Sequence, residues 1–350
     1  PEPLPLAGET PGAGVGITLP ADAFEPAPPT SSADGIAPER VTRGFWRDSW
    51  RRLRARRPAM VSFWFLVAVV LIAVVGPLIY GRDPVAQQIT FVNLPPRIPG
   101  IPWLDGTAVV AGQVVDKYAA AGVPAGVNFW FGTDALGRDL LARLLMGLRV
   151  SLTIAFVAAL LDLTLGVAYG LASGLASARI DTVMQRFLEI LSGIPTLVVL
   201  ILMLTIFEPG LVSIVLAMIV TGWIPMARLV RGQALRLREQ EFVLAASALG
   251  ATRWRLALRH VLPNTLGVVV VQTMFTIPQA IFFEAFLSFI GLGLRPPTAS
   301  LGTLLNEGFK TFTFLPYQVL VPGVTLSVIM VAFNVLADGL RDAFDPRTKE

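Results

Sequence analysis

Two carboxylates stand inside apolar runs that are long enough to cross a membrane. Asp162 lies in the middle of the run 150–175, and Glu284 lies near the end of the run 265–287. A carboxylate at this depth either binds a proton or cation, or holds a polar partner on a neighbouring helix. We predict that Asp162 faces other helices, because an unpaired carboxylate in hydrocarbon is costly. Both interpretations of its role stay open.

The usual groups for catalysis are missing from the sequence. The chain has no cysteine, and its one histidine, His260, cannot build a histidine-rich metal centre. No GxxxxGK[ST] loop occurs to hold nucleotide phosphates, and no G-x-S-x-G nucleophile turn occurs either. We therefore predict a chain that is not an enzyme and that holds no metal or cofactor of its own.

Composition places the chain among membrane proteins with several spans. Of its 350 residues 54% are hydrophobic and only 15% are charged, and the mean hydropathy is +0.67. The net charge of +4 comes from arginines that lie beside apolar runs. The tendency of such arginines to stay in the cytoplasm explains this charge, so nucleic acid is not expected as a partner.

The apolar runs predict an all-α polytopic membrane protein with about six transmembrane helices. Pro195 should kink the third span, and Pro316 and Pro322 should delay the start of the sixth. The expected spans are 61–80, 150–175, 190–207, 211–227, 265–287 and a part of 311–337.

The segments between these spans divide the chain further. Residues 1–42 contain nine prolines and six acidic residues, a composition typical of a disordered tail. Residues 43–60 are rich in arginine and tryptophan and predict a cytoplasmic segment at the membrane surface, with a merely solvated basic linker as the alternative. The remaining divisions are an extracytoplasmic loop at 81–149, a core at 150–340 and a cytoplasmic C-terminus at 341–350.

One segment, 241–264, is neither apolar enough to span a membrane nor disordered in composition; we name it the handle. Its first half predicts a helix that is apolar nearly all round and should be covered by protein on more than one side. Gly250 should end that helix in a left-handed turn. Thr252 should cap a second helix, which Pro263 should stop.

The handle resembles the cytoplasmic EAA loop of ABC-transporter permeases. The resemblance rests on Ala245 and Ala246, on Gly250 four residues later, and on Leu262 and Pro263 twelve residues further on. Leu244 and His260 depart from the pattern, and Glu241 stands where it can supply the missing carboxylate. The resemblance implies that these residues, Glu241 included, dock into a partner ATPase subunit.

A second resemblance lies before the second span, where Thr133 or Asp134 is expected to cap a helix running through Leu148. This segment resembles C-type permease subunits of dipeptide, oligopeptide and nickel importers. Glu284, Ser288 and the pair Pro296–Pro297 resemble the same family. The matching residues of the extracytoplasmic motif are Gly132, Thr133, Asp134, Gly137, Arg138 and Asp139.

The family resemblance implies one half of a translocation pathway in a bacterial inner membrane, with both termini cytoplasmic and an oligopeptide or dipeptide as the solute. It also implies a second permease chain, two ATPase subunits that bind ATP and magnesium, and an extracytoplasmic solute-binding protein. The alternative is a secondary transporter driven by an ion gradient, with Asp162 and Glu284 as ion sites. That class predicts internal repeats with broken helices, and the sequence has no convincing duplication.

Overall fold

The computed structural model describes residues 45–110 and 112–344. The predicted tail at 1–42 lies outside the described residues, as do residues 345–350 of the predicted C-terminal segment. Within the described part, the predicted helical fold is confirmed.

The described chain contains fourteen α-helices and one short hairpin, besides a 3-10 turn and two π-helical turns. The helices before the second span are α1 (Phe45–Ala55), α2 (Arg57–Tyr80) and α3 (Lys117–Ala120), and the hairpin strands are β1 (Thr107–Val110) and β2 (Gln113–Asp116). Then follow α4 (Leu140–Leu161), α5 (Val167–Gly174), α6 (Ala178–Gly193), α7 (Thr196–Ile206), α8 (Leu211–Thr221) and α9 (Ile224–Arg238). The last five are α10 (Glu241–Ala248), α11 (Arg253–Leu256), α12 (Leu262–Phe289), α13 (Leu301–Phe309) and α14 (Tyr317–Phe344).

The number of spans agrees with the prediction of about six. Among the described residues, five helical stretches are long and apolar enough to cross a membrane: Arg57–Tyr80, Leu140–Gly174, Leu211–Arg238, Arg253–Phe289 and Tyr317–Phe344. A bent pair, α6 with α7, makes six if the pair counts as one span.

The core lies between four of these spans. Helices α2, α4, α12 and α14 pack their apolar sides together, with Leu66, Leu152, Ile281 and Ile329 among the buried side chains. A second cluster joins α5 to α9 and to the turn before α12. A helix surface that faces lipid can be apolar. Many large apolar side chains accordingly remain on the surface of this bundle.

The second span begins at Leu140, ten residues before the predicted start at Val150. Asp139 caps its helix, because the carboxylate Oδ1 accepts from the backbone N–H groups of Leu141 (2.8 Å) and Ala142 (3.1 Å). The expected cap at Thr133 or Asp134 was wrong. Three residues that can cap a helix within seven positions left the choice open in the sequence, and tertiary contacts decide it.

The third span is broken rather than kinked. Helices α6 and α7 meet at Ile194 and Pro195 with a bend of 75°. The predicted span 190–207 thus holds all of α7 but only the end of α6, which starts at Ala178. Proline has no N–H to donate within the helix, so α6 ends here and α7 continues in a new direction.

The predicted extracytoplasmic loop contains a small folded layer. Strands β1 and β2 pair antiparallel, and Leu94, Tyr118 and Phe129 form a buried apolar cluster beside them. The Tyr118 hydroxyl donates to the carbonyl oxygens of Pro95 (2.9 Å) and Phe129 (3.2 Å). Burial raises the pKa of Tyr118 to about 12, so this phenol stays neutral.

Candidate functional site

The handle folds as two short helices joined by a tight turn. Gly250 adopts the predicted left-handed conformation, with φ +82°, and its N–H donates to the carbonyl of Ser247 at 3.0 Å. Thr252 caps α11 as predicted, because its Oγ1 accepts from the N–H of Arg255 at 3.3 Å. The turn therefore depends on a backbone conformation that glycine adopts without strain.

The surface of α10 is largely exposed in this chain. We expected protein to cover it on several sides, yet Val243 is its only buried residue. Phe242 and Leu244 are about half exposed, and Leu249 is 90% exposed. Within the described chain α10 contacts α9 and α11, so further cover by protein stays a prediction that concerns a partner. Such clustered exposed apolar side chains mark an interaction surface.

Pro263 does not stop the second helix of the handle. A wide π-helical turn, Ala257–Val261, follows α11 and leads directly into α12, where Pro263 occupies the first turn. The wide turn accommodates the proline ring, which would otherwise meet the carbonyl four residues earlier. The predicted docking residues therefore fall into two places. Glu241, Ala245, Ala246 and Gly250 lie on α10 and its turn, whereas Leu262 and Pro263 begin the fifth span.

A cluster of four charged side chains lies where α4 begins; we name it the outer cluster, and its members are Asp134, Arg138, Arg143 and Glu307. Asp134 Oδ2 accepts from Arg138 Nε at 2.7 Å and from Arg143 Nη1 at 2.6 Å. Glu307, on α13, accepts from Arg138 Nη2 at 2.9 Å and from Arg143 Nη2 at 3.0 Å. Two arginines thus bridge two carboxylates, and they join α4 to α13.

The other motif residues shape the loop around the outer cluster. Thr133 is fully buried, and its hydroxyl accepts from the N–H of Leu94 at 2.8 Å. Asp139 Oδ2 accepts from the Tyr80 hydroxyl and from Arg82 Nη1, both at 2.7 Å. Gly132 and Gly137 both have positive φ angles. The six predicted motif residues therefore lie together, in one folded turn before α4.

Sequence reasoning missed two members of this region. Glu307 completes the outer cluster, although no motif of the sequence included it. Gln318 Nε2 donates to the Thr133 carbonyl at 3.0 Å and to Asn93 Oδ1 at 3.0 Å, so it joins α14 to the same loop. One signal was available for Glu307, because it is the only charged residue of α13.

Asp162 faces protein, as predicted. Its side chain is buried, with 2% of the residue exposed, and Thr276 Oγ1 of α12 donates to Asp162 Oδ2. The residue opens a π-helical turn, Asp162–Gly166, between α4 and α5. Its contact is with a hydroxyl on another helix, which favours the structural interpretation over an ion site.

Glu284 is completely buried among serine hydroxyls. Its carboxylate accepts from Ser151 Oγ of α4 at 2.9 Å and from Ser288 Oγ at 2.8 Å. Ser300, which caps α13, reaches Ser288 Oγ at 3.5 Å. The carboxylate therefore connects α4 and α12 beside the start of α13.

The described side chains of these sites are not grouped as metal ligands. Within residues 45–110 and 112–344, no group of three or more His, Asp or Glu side chains is placed to hold a metal ion. The carboxylates of the outer cluster are paired with arginines, and Glu284 is held by hydroxyls. These paired side chains can position helices. The exposed apolar helix α10 of the handle can bind a partner.

Two family models match the sequence. The model described as the binding-protein-dependent transport system inner membrane component matches residues 166–350. The model for the N-terminal TM domain of oligopeptide transport permease C matches residues 44–96.

Several curated proteins are similar over most of the chain. The dipeptide transport system permease protein DppC of Lactococcus lactis subsp. cremoris is 42% identical over 315 residues, which cover 87% of this chain and 92% of that protein. The oligopeptide transport system permease protein OppC of Bacillus subtilis is 36% identical and covers 95% of this chain and 99% of that protein. OppC of Escherichia coli strain K12 is 39% identical, with 88% and 93% covered.

Proposed function

Because this chain belongs to the family of binding-protein-dependent transport system inner membrane components, we propose that it is a permease subunit of an ATP-driven importer of dipeptides or oligopeptides. It forms half of the translocation pathway, and a second permease chain forms the other half. The solute class is supported by the names of the relatives, which are permease proteins of dipeptide and oligopeptide transport systems.

The observation that carries this proposal is the exposed α10 of the handle. An apolar helix that leaves Phe242, Leu244 and Leu249 uncovered fits a partner's groove. The arginines around it, among them Arg238 and Arg255, favour a partner with acidic residues at the groove's rim. We assign this partner as the ATPase subunit, with Glu241, Ala245, Ala246, Gly250, Leu262 and Pro263 as the coupling residues.

The chain itself performs no hydrolysis in this proposal. Its sequence contains no GxxxxGK[ST] loop, so ATP and magnesium bind to two partner ATPase subunits. An extracytoplasmic solute-binding protein delivers the peptide, which agrees with the binding-protein-dependent description of the family. The motif residues Gly132, Thr133, Asp134, Gly137, Arg138 and Asp139 shape the surface on that side.

The alternative, transport driven by an ion gradient, is not favoured. It needs Asp162 and Glu284 as ion sites, yet Thr276 donates to Asp162, and Ser151 and Ser288 donate to Glu284. Each carboxylate therefore has a partner inside the chain. The relatives are permease components of transport systems with binding proteins, which use the ATP-driven route in this proposal.

We place the subunit in a bacterial inner or plasma membrane with the handle on the cytoplasmic side. Six arginines lie from Arg231 to His260, and the basic segment before α2 is the second such concentration. Both belong in the cytoplasm by the positive-inside tendency, as do both termini.

The test is peptide uptake by the reconstituted complex of two permease chains and two ATPase subunits, with the binding protein supplied at the outer face. Uptake should require ATP, and it should persist when ionophores remove all ion gradients. Uptake that follows an imposed ion gradient without ATP would contradict the proposal. A variant complex whose ATPases cannot hydrolyse ATP provides the matched control.

A further inference from the structure

The break between α6 and α7 leaves polar main chain uncovered at membrane depth. Thr196, the first residue of α7, accepts a hydrogen bond at 3.4 Å from the hydroxyl of Thr221. Thr221 lies ten residues after the start of α8, so it is about 15 Å along a span that must cross about 30 Å of hydrocarbon. The break therefore lies close to the middle of the membrane.

The described part of the chain does not cover this break. Gly193, Ile194 and Pro195 are all exposed, and a Cβ added at Gly193 would meet no atom within 4 Å. Helix ends leave backbone N–H and C=O groups without helical partners. At membrane depth such groups are tolerated only against protein or in a water-filled cavity, so lipid cannot be what faces them.

An arginine reaches the break from further along the same span, about 26 Å from its start at Leu211. Arg228 of α9 is exposed, and its Nη2 donates to Ser192 Oγ at 2.8 Å. Across residues 45–110 and 112–344, Arg228 forms no ion pair, whereas Arg231, one turn further, pairs with Asp181 at 2.6 Å. A guanidinium in this position needs water or a ligand anion, because a lipid tail has no hydrogen-bond acceptor or negative charge.

We propose that the break at 193–195, with Ser192, Thr196 and Arg228, lines the aqueous pathway of the solute. The proposal rests on the permease function given above and adds where the solute passes. Water satisfies the free backbone groups and the guanidinium together. A protein partner would have to bring both a buried carboxylate and matching hydrogen-bond groups to one place.

The chemistry of this lining fits a peptide. Exposed main-chain groups can bond the amide groups that all peptides share, and a guanidinium binds a C-terminal carboxylate through charge-assisted hydrogen bonds. Neither contact depends on the side chains of the solute. Such a lining would pass peptides of varied sequence and would prefer a free C-terminal carboxylate.

The test uses single cysteines, which is direct because the native chain has none. Gly193→Cys is compared with Leu71→Cys, which places a thiol at an exposed apolar position in the middle of α2. Both are assembled with cysteine-free partner subunits and treated with charged, membrane-impermeant thiol reagents, with and without ATP. Ser192→Cys serves if Gly193→Cys does not assemble.

The anionic reagent should modify Gly193→Cys at least about tenfold faster than Leu71→Cys in one of the nucleotide states. Adding Arg228→Gln should slow the anionic reagent about tenfold and leave a neutral reagent unchanged. Peptide in excess should protect the thiol. A thiol at 193 that is no more reactive than the one at 71, in a complex that still imports peptide with ATP, would overturn the pathway assignment alone. Loss of ATP-driven uptake by wild-type complex would instead contradict the permease proposal.

Discussion

Single residues at the outer end of the second span hold α4 and α13 together through charge. Arg143 is almost fully buried, and its guanidinium bonds to Asp134 and Glu307. Removing one partner of a buried pair costs more than the pair contributes, because the remaining charge is left without compensation.

We expect Glu307→Gln to lower the stability of the assembled subunit by about 2 kcal/mol, since Glu307 is partly exposed and water recovers some of the loss. The measurement is the thermal unfolding midpoint of the detergent-solubilised complex. Glu208→Gln is the matched control, because Glu208 lies in the α7–α8 turn and forms no ion pair among the described residues. Equal midpoints for the two variants would show that the outer cluster contributes nothing to stability.

A second prediction for a single residue concerns Gly250. Its φ of +82° suits glycine, and valine there should cost about 1 to 2 kcal/mol locally. Because no other atom lies within 4 Å of the added Cβ, the effect comes from the backbone alone. Gly250→Val should insert normally and recover less ATPase in a pull-down, with Glu241→Ala giving a milder loss. Wild-type recovery and uptake for Gly250→Val would remove the coupling role.

Among the elements, α2 depends on an arginine of another helix. Pro77 lies inside α2 and has no N–H, so the carbonyl of Ala73 lacks its usual helical donor. Arg149 of α4 donates to that carbonyl through Nε at 3.2 Å and to the Val74 carbonyl through Nη2 at 2.8 Å. Arg149 thus donates to the Ala73 carbonyl the hydrogen bond that Pro77 cannot donate.

A double-mutant cycle tests this substitution of donors. Arg149→Met should destabilise the complex by about 1 to 3 kcal/mol, because a carbonyl in the membrane is left without a donor. In the background of Pro77→Ala, which restores the N–H, the cost should fall by about 1 kcal/mol. Thermal midpoints of the four complexes give the coupling. Strict additivity would show that the proline and the arginine act independently.

The sequence predicted local features of the helices better than the contacts between distant segments. The glycine turn and the Thr252 cap are local, so residue types alone determine them. Pro263 was misjudged because a π turn, which has no sequence signal of its own, precedes it. The salt bridges of Glu307 join residues more than 160 positions apart, and periodicity carries no information on such pairs.

For the whole molecule, the distribution of arginine sets the orientation in the membrane. Arg51, Arg238 and Arg341 should all lie in the cytoplasm, and the folded layer between α2 and α4 should lie outside. Asp116 lies in that layer but caps α3, so it should be left intact.

Ala125→Cys marks the outer side better, because Ala125 lies exposed in a loop of that layer. In intact cells an impermeant thiol reagent should label Ala125→Cys and leave Arg238→Cys unmodified until the membrane is opened. The native chain contributes no background, since it contains no cysteine. Labelling of Arg238→Cys from outside would invert the topology and with it the assignment of the handle.

The handle is continuous with the fifth span, and this has a mechanical consequence. Because the π-helical turn accommodates Pro263, Arg253–Phe289 forms one helical rod of 37 residues, about 55 Å long. Its far end carries Glu284, which is tied to α4. With the Glu284 end held by α4, a displacement of about 8 Å at α11 corresponds to a tilt of the whole rod by about 10°. A force applied at α11 thus reaches the other face of the membrane without passing through a loop.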